Sequence, residues 1–312
     1  MKKYKTLSCR VTGYRKLLDG NECEDAYRVA HTKNSVIAAV ADGHGDRRCV
    51  FASRGAEIAV KVACDVLRDF ERVGERSAAG EYWNSRRGQI AGSITQGFAL
   101  GVLEDYAARV PNRLTDEETA RLKEHIEDAY KSGGAASPDE IRLRYRRKKE
   151  LNRRLEQILV LYGTTLRAVL VGKNYVFCLA VGDGDTVAVL DEGAEWLLPA
   201  SEAFECETAS MCMGLDEAPR EFLFSFAEIK SAQRKKAAMD VAYEMRAVVL
   251  STDGLRNSFC GGRSFCAMLE EITFAAETRE TKSVRRKLRQ TFRRLSRNSV
   301  FQDDITAVAV IL

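Results

Sequence analysis

Four short stretches of the chain are apolar at nearly every position: VIAAVA (Val36–Ala41), VFCLAVG (Val176–Gly182), AVVLST (Ala247–Thr252) and ITAVAVIL (Ile305–Leu312). Runs this short, rich in Val and Ile and bounded by Gly or Asp, predict buried strands. Other segments carry helical spacing instead. Ala52, Ala56, Ala59, Val60, Ala63, Cys64, Leu67 and Phe70 predict one helix. Ile94, Phe98, Val102 and Tyr106 predict a second over Ile90–Val110, stopped by Pro111. Val284, Leu288, Phe292 and Leu295 form the apolar stripe of a third, over Val284–Ser299. Residues 162–190 read as three strands in meander order, joined by Gly-Lys-Asn and Gly-Asp-Gly-Asp turns. Residues 1–31 read as a weak hairpin with Gly13 and Leu18–Asn21 as turn signals. Residues 193–245 give no assignable pattern.

The stretch 111–158 differs from its surroundings. KSGGAASP (Lys131–Pro138) is a flexible break, and IRLRYRRKKELNRRLEQ (Ile141–Gln157) is a basic, helix-like run with only a weak apolar stripe. The expectation is one domain over residues 1–312, with 111–158 as a charged insertion that projects from the core.

Composition narrows the class. The chain has 312 residues, 45% hydrophobic and 30% charged, which suits a soluble globular protein. Apolar runs of about six residues fall far short of the roughly 18 needed to span a bilayer. MKKYKTLSCR has the charges of a secretory leader without the apolar segment behind them. Nine cysteines with no C-x-x-C pair argue against a disulfide framework and a zinc ribbon, so a reducing, cytoplasmic setting is expected. A net charge of +4 does not by itself imply nucleic acid. The eight Lys and Arg between Lys282 and Arg297 flank an apolar face and read as its solvated side. The run at 141–154 leaves room for an acidic protein partner.

The candidate chemistry lies at the strand mouths. Asp42, Asp183 and Asp253 follow apolar strands, and Asp303-Asp304 precede one. A carboxylate after one strand and another before its antiparallel neighbour share a sheet edge. Any one of these could be a turn acid, since Asp-Gly is a common turn dipeptide. Together they would repel and take up protons unless cations sit among them. Hard divalent metals with oxygen ligands fit that need.

The motifs resemble those of the metal-dependent serine/threonine protein phosphatases of type 2C. GNECEDAY (Gly20–Tyr27), VADGHGD (Val40–Asp46), YGTTLRAVLV (Tyr162–Val171), AVGDGD (Ala180–Asp185), STDGLRNSF (Ser251–Phe259) and QDDITAVAV (Gln302–Val310) follow in the family's order. The Cys-acidic-Asp-Ala form of the first is closest to a divergent bacterial branch. The resemblance implies an α+β fold, a four-layer α-β-β-α sandwich of two antiparallel sheets flanked by helices. It implies hydrolysis of phosphoserine and phosphothreonine in proteins, within bacterial signalling, by a metal-activated hydroxide. Two Mn²⁺ or Mg²⁺ ions are implied: Asp42 bridges them, Glu24 and the Gly43 carbonyl serve one, and Asp253 and Asp303 serve the other. Asp183 matches a residue that helps bind a third, weaker ion. Asp25 and Asp304 match positions that orient ligands and waters. His44 is the candidate general acid for the leaving alkoxide.

Two departures stand out. The family's phosphate-holding arginine, four residues before the first-motif Glu, is Gly20 here, leaving Arg10, Arg15 or Lys16 as replacements. Gly-Asp-Gly-Asp stands where Ser-Arg is typical, which removes a structural ion pair. A catalytically weak relative that binds a phosphopeptide or partner is therefore the alternative. A cysteine phosphatase is rejected, although Cys9 and Arg15 have C-x₅-R spacing, because no helix pattern follows RVTGY. A calcium loop at Gly182–Glu192 is rejected because it lacks the Gly at the sharp turn and an acid at its fifth position.

Overall fold

A computed structural model describes residues 4–74, 79–130, 149–198, 209–212, 222–229 and 245–312. Among these residues, ten strands form two five-stranded antiparallel sheets. The first has the order β1 (Lys5–Val11), β10 (Ile305–Ile311), β9 (Met245–Ser251), β6 (Asp185–Leu190), β7 (Gly193–Trp196). The second has the order β2 (Ala26–His31), β3 (Val36–Ala41), β4 (Leu166–Val171), β5 (Tyr175–Val181), β8 (Leu223–Glu228). Helices cover both outer faces, giving the α-β-β-α sandwich.

Alternate residues along each strand go to different neighbours, as the pleat requires. Val36, Ala38, Val40, Val169, Val171 and Cys178 meet Val248, Leu250, Val308 and Val310 of the opposite sheet. Their neighbours Ile37, Ala39, Ala168, Leu170, Phe177 and Leu179 face α2 (Ala52–Gly74) and α3 (Ala79–Arg109). Strands buried on both faces need apolar residues at every position, which explains the continuous runs. On the other outer face, α7 (Gly262–Thr278) and α8 (Thr281–Asn298) pack Phe265, Leu269, Val284, Leu288 and Phe292 against the first sheet.

Three expectations need correction. Residues 1–31 are not a hairpin. β1 pairs with β10, from Lys5 opposite Ile311 to Val11 opposite Ile305, and β2 pairs with β3 in the other sheet. The three strands in 162–190 are not a meander in one sheet. β4 and β5 pair, and the chain then crosses so that β6 joins β9. The crossing turns at Gly182, at φ +82°, where a Cβ would come within 2.4 Å of the Ala209 carbonyl oxygen. The described ends of the 111–158 stretch do not project. Leu122, Ile126 and Ala129 of α4 (Asp116–Tyr130) and Leu155, Ile158 and Leu159 of α5 (Lys149–Leu159) are buried in the core cluster of α2 and α3. A buried hydrogen bond between His125 and Asn152 ties the two helices. The break at 131–138 and most of the basic run lie outside the described residues.

The helix over 90–110 begins earlier than its apolar pattern predicts, at Ala79. Its first turns carry only the adjacent aromatics Tyr82 and Trp83, of which Trp83 is buried and stacks on Phe177 at 4.6 Å. Two neighbouring aromatics give no helical period to read. Among the described residues, no helix is long and apolar enough to cross a membrane.

Candidate active site

The acidic positions meet at one rim, and they come from both sheets. Asp42 follows β3 and Asp183 follows β5, parallel neighbours-but-one in the second sheet. Asp253 follows β9, while Asp303 and Asp304 precede its antiparallel partner β10 in the first. Asp253 opens α6 (Asp253–Arg256) against the residue 303–304 turn. Only glycine fits at the next position, since a Cβ on Gly254 would lie 2.0 Å from the Asp304 carbonyl oxygen.

Hydrogen bonds hold the Asp42 turn rigidly. Its backbone N–H donates to Thr165 Oγ1 at 3.0 Å, and its carbonyl accepts from Thr165 N–H and from Thr164 Oγ1, both at 2.9 Å. Gly43 bridges to Thr164 and His44 N–H donates to the Gly163 carbonyl at 3.0 Å. The second anchored acid is Asp304. Its Oδ1 accepts from Gly13 N–H at 2.6 Å, and its Oδ2 accepts from Glu24 N–H at 2.8 Å, so it fixes the loop that carries Glu24. Asp25, fully buried, accepts from Thr252 Oγ1 at 2.9 Å.

The electrostatics are those of crowded acids. Burial, then the charges of Asp25 and Asp253, push Asp42 well above the usual carboxylate range. Burial raises Asp253 to about 6, with Asp183 and Asp303 adding to it, and raises Asp303 as well. Asp25 is pushed up to about 8 by burial and by Asp304. Burial lowers His44 below the ordinary histidine value, against the opposing pull of Asp183 and Asp46.

Lys16 was one candidate for holding phosphate; its Nζ sits 2.7 Å from both Glu24 Oε2 and Asp304 Oδ2. Those two carboxylates raise its pKa even though burial alone would lower it. Arg10 reaches the same loop, donating from Nη1 to the Asp25 carbonyl at 2.9 Å. Arg15 is exposed on α1 (Tyr14–Leu18). The Gly-Asp-Gly-Asp departure keeps a charged contact of its own: Asp185, buried, accepts from Trp196 Nε1 at 2.9 Å and faces Arg256 Nε at 3.4 Å.

The donor set is all hard oxygen, which suits Mg²⁺ or Mn²⁺. Asp253 Oδ1 is buried with no hydrogen-bond partner, and its other oxygen accepts from Asn257 Nδ2 at 2.7 Å. The carboxylates are adjacent rather than closed around a point. Among the described residues, no three His, Cys, Asp or Glu side chains are gathered closely enough to hold an ion. Lys16, between Glu24 and Asp304, relieves part of the crowding in this arrangement.

The sequence reading did not assign roles to Thr164, Thr165 or Thr252. A Thr-Thr pair ahead of an apolar strand was the available signal. What hydroxyls at those positions do depends on a partner more than a hundred residues away.

Several solved structures similar to this fold are phosphatases. One is the serine/threonine phosphatase Stp1 from Staphylococcus aureus, 12% identical, with a TM-score of 0.53 over 100% of this chain and 96% of that one. Another is a bacterial serine phosphatase, 13% identical, with a TM-score of 0.53 over 99% and 98%. The catalytic domain of the phosphatase PstP, in complex with two manganese ions, is similar at 12% identity and a TM-score of 0.49 over 99% and 97%. No curated protein sequence matches the chain. The protein phosphatase 2C profile matches residues 12–293, and the chain belongs to that family of serine/threonine protein phosphatases.

Proposed function

We propose that the protein removes phosphate from phosphoserine and phosphothreonine in cytoplasmic proteins, using two divalent ions, Mn²⁺ or Mg²⁺. The observation that carries this reading is the convergence of Asp42, Asp183, Asp253 and Asp303 from both sheets, together with the raised pKa values of Asp42, Asp253 and Asp303, which a cation would reverse. Glu24, Asp42, the Gly43 carbonyl, Asp253 and Asp303 would hold the two ions, and Asp183 a weaker third. Ions so held supply a nucleophile from water at neutral pH and neutralise charge on the phosphoryl oxygens.

The chain's own residues do the rest. Thr164 and Thr165 fix the Asp42 turn, and Asp304 fixes the Glu24 loop, so the ligands are positioned before substrate arrives. Asp25 and its Thr252 partner tie that loop to the mouth of β9. His44, half-buried in the same turn, is placed to give a proton to the leaving alkoxide. Its lowered pKa leaves it neutral at pH 7 in the free protein, and a bound phosphate dianion would favour its protonated form. Arg10, at the adjoining loop, is the best placed of the three candidates to meet the substrate phosphate.

Hydrolysis of an aryl phosphate and of a phosphothreonine peptide, each with Mn²⁺ and with chelator, tests the proposal. Turnover that chelator abolishes is expected. One observation favours a second reading, a binding protein with little turnover: Lys16 already occupies part of the acidic rim as a cation. Phosphopeptide binding without hydrolysis at any Mn²⁺ concentration would establish that reading instead.

A further inference from the structure

Across the Asn21–Cys23 segment from the acidic rim lies a groove of about 1000 Å³. Five arginines line it, from four elements: Arg10 on β1, Arg54 on α2, Arg109 on α3, and Arg285 and Arg289 on α8. Glu22 and Glu57 line it too.

The two walls differ in how far their charge is met. On the α2–α3 wall, Arg54 and Arg109 share Asp105, at 2.8 and 2.7 Å, and Arg54 also pairs with Glu57. On the α8 wall, Arg285 and Arg289 stand one turn apart and exposed, and Arg293 continues the row. Among the described residues none of these three has an ion-pair partner. Their shared neighbour is Cys9, whose thiol is raised to about 11 by burial despite all three arginines. A protonated thiol is no counter-ion. Like charges four apart on a helix repel, and no ion pair among the described residues offsets that repulsion.

The row is also rigidly held. Val284, Leu288 and Phe292, each one position before an arginine of the row, are buried against the first sheet. Four residues of helix advance about 6 Å, and two residues of extended chain advance about 6.7 Å. Arginines at 285, 289 and 293 therefore match carboxylates at alternate positions of an extended peptide. Arg10 joins the groove to the rim, since it lines the groove and donates to the Asp25 carbonyl.

We propose that this groove binds an acidic segment of the substrate protein, with Asp or Glu at alternate positions beside the phosphorylated residue. The protein would then select phosphosites in acidic surroundings. The proposal rests on the phosphatase reading above and adds the class of substrate.

The test compares phosphothreonine peptides with alternating Asp on the N-terminal flank, on the C-terminal flank, or with Asn in every such place. Wild type, Arg285→Glu/Arg289→Glu and Arg285→Gln/Arg289→Gln are each assayed on these peptides and on an aryl phosphate. Two or three exposed ion pairs amount to about a tenfold effect. The expected result is a KM about tenfold lower for one acidic flank in the wild type, lost in high salt. Both double variants should lose that preference and keep aryl-phosphate turnover. Equal KM values for all peptides in the wild type, or a preference that survives both variants, would overturn the proposal.

If no substrate is turned over, the phosphatase reading fails by itself. Fluorescence anisotropy with the same labelled peptides still decides the groove: preferential binding of an acidic peptide, lost in the variants, upholds it, and equal binding rejects it. Tighter binding of a single-stranded oligonucleotide, lost in the same variants, would reassign the groove to nucleic acid and overturn it.

Discussion

Asp25 shows what a single buried carboxyl does in this site. Its pKa of about 8, against 3.8 for an ordinary aspartate, comes from burial and from Asp304. A folded value above the unfolded one means the folded state holds its proton more tightly. The associated stability is fully present below about pH 4 and is lost as pH rises towards 8. Metal-free wild type is therefore expected to lose melting temperature over that window relative to Asp25→Asn, which carries no titrating group there. A difference that stays constant between pH 5 and pH 8, measured in chelator, would contradict the site's electrostatics. His44 makes a second prediction at this scale. A serine alkoxide needs a proton to leave and a nitrophenolate does not, so His44→Ala should slow phosphoserine peptides by roughly 10²–10⁴-fold and aryl phosphates much less. Equal losses on both substrates would assign His44 to structure or phosphate binding.

Among the elements, α4 and α5 most change the expected picture. Amphipathic helices of mixed charge look from sequence like an insertion. Here Leu122 and Ile126 on one, and Leu155 and Ile158 on the other, are at most 1% exposed. Truncating one such side chain to Ala should lower stability by about 2–5 kcal/mol. Replacing residues 131–148 with a short Gly/Ser linker should leave the fold and aryl-phosphate turnover intact, whereas extending the replacement through 159 should not. Chemical denaturation of the two variants separates these outcomes, and a shorter replacement that fails to fold would refute the placement of the boundary.

At the scale of the molecule, the rim joins the two sheets. Asp42 and Asp183 belong to one sheet, Asp253 and Asp303 to the other. An ion held between them would tie the layers together, so binding it should add stability to the whole fold. Saturation at 100 times the dissociation constant corresponds to about 2.7 kcal/mol, readable as a rise in melting temperature with Mn²⁺. Asp42→Ala and Asp253→Ala should each abolish that rise. They should also reduce turnover by more than the roughly 10–100-fold that loss of an outer partner costs, without lowering the stability of the metal-free protein. A Mn²⁺-induced rise that persists in either variant would remove that residue from the site.

Several features were legible in the chain itself. Strands buried on both faces must be apolar throughout, so β3, β5, β9 and β10 were visible, as were the acids at their mouths. α2 and α8 were visible from a period set by local geometry. Pairing was not, because any antiparallel register satisfies an apolar strand equally. Which sheet β6 joined, and that β1 pairs with β10, depended on contacts between residues up to 300 apart. The same holds for the site. Asp42, Asp253 and Asp303 could be named from composition and order. Lys16 between Glu24 and Asp304, Thr164 and Thr165 under Asp42, and the arginine row over Cys9 are relations across space. A hydroxyl or a guanidinium carries no mark of its partner until tertiary packing brings the two together and excludes the water that would otherwise satisfy them.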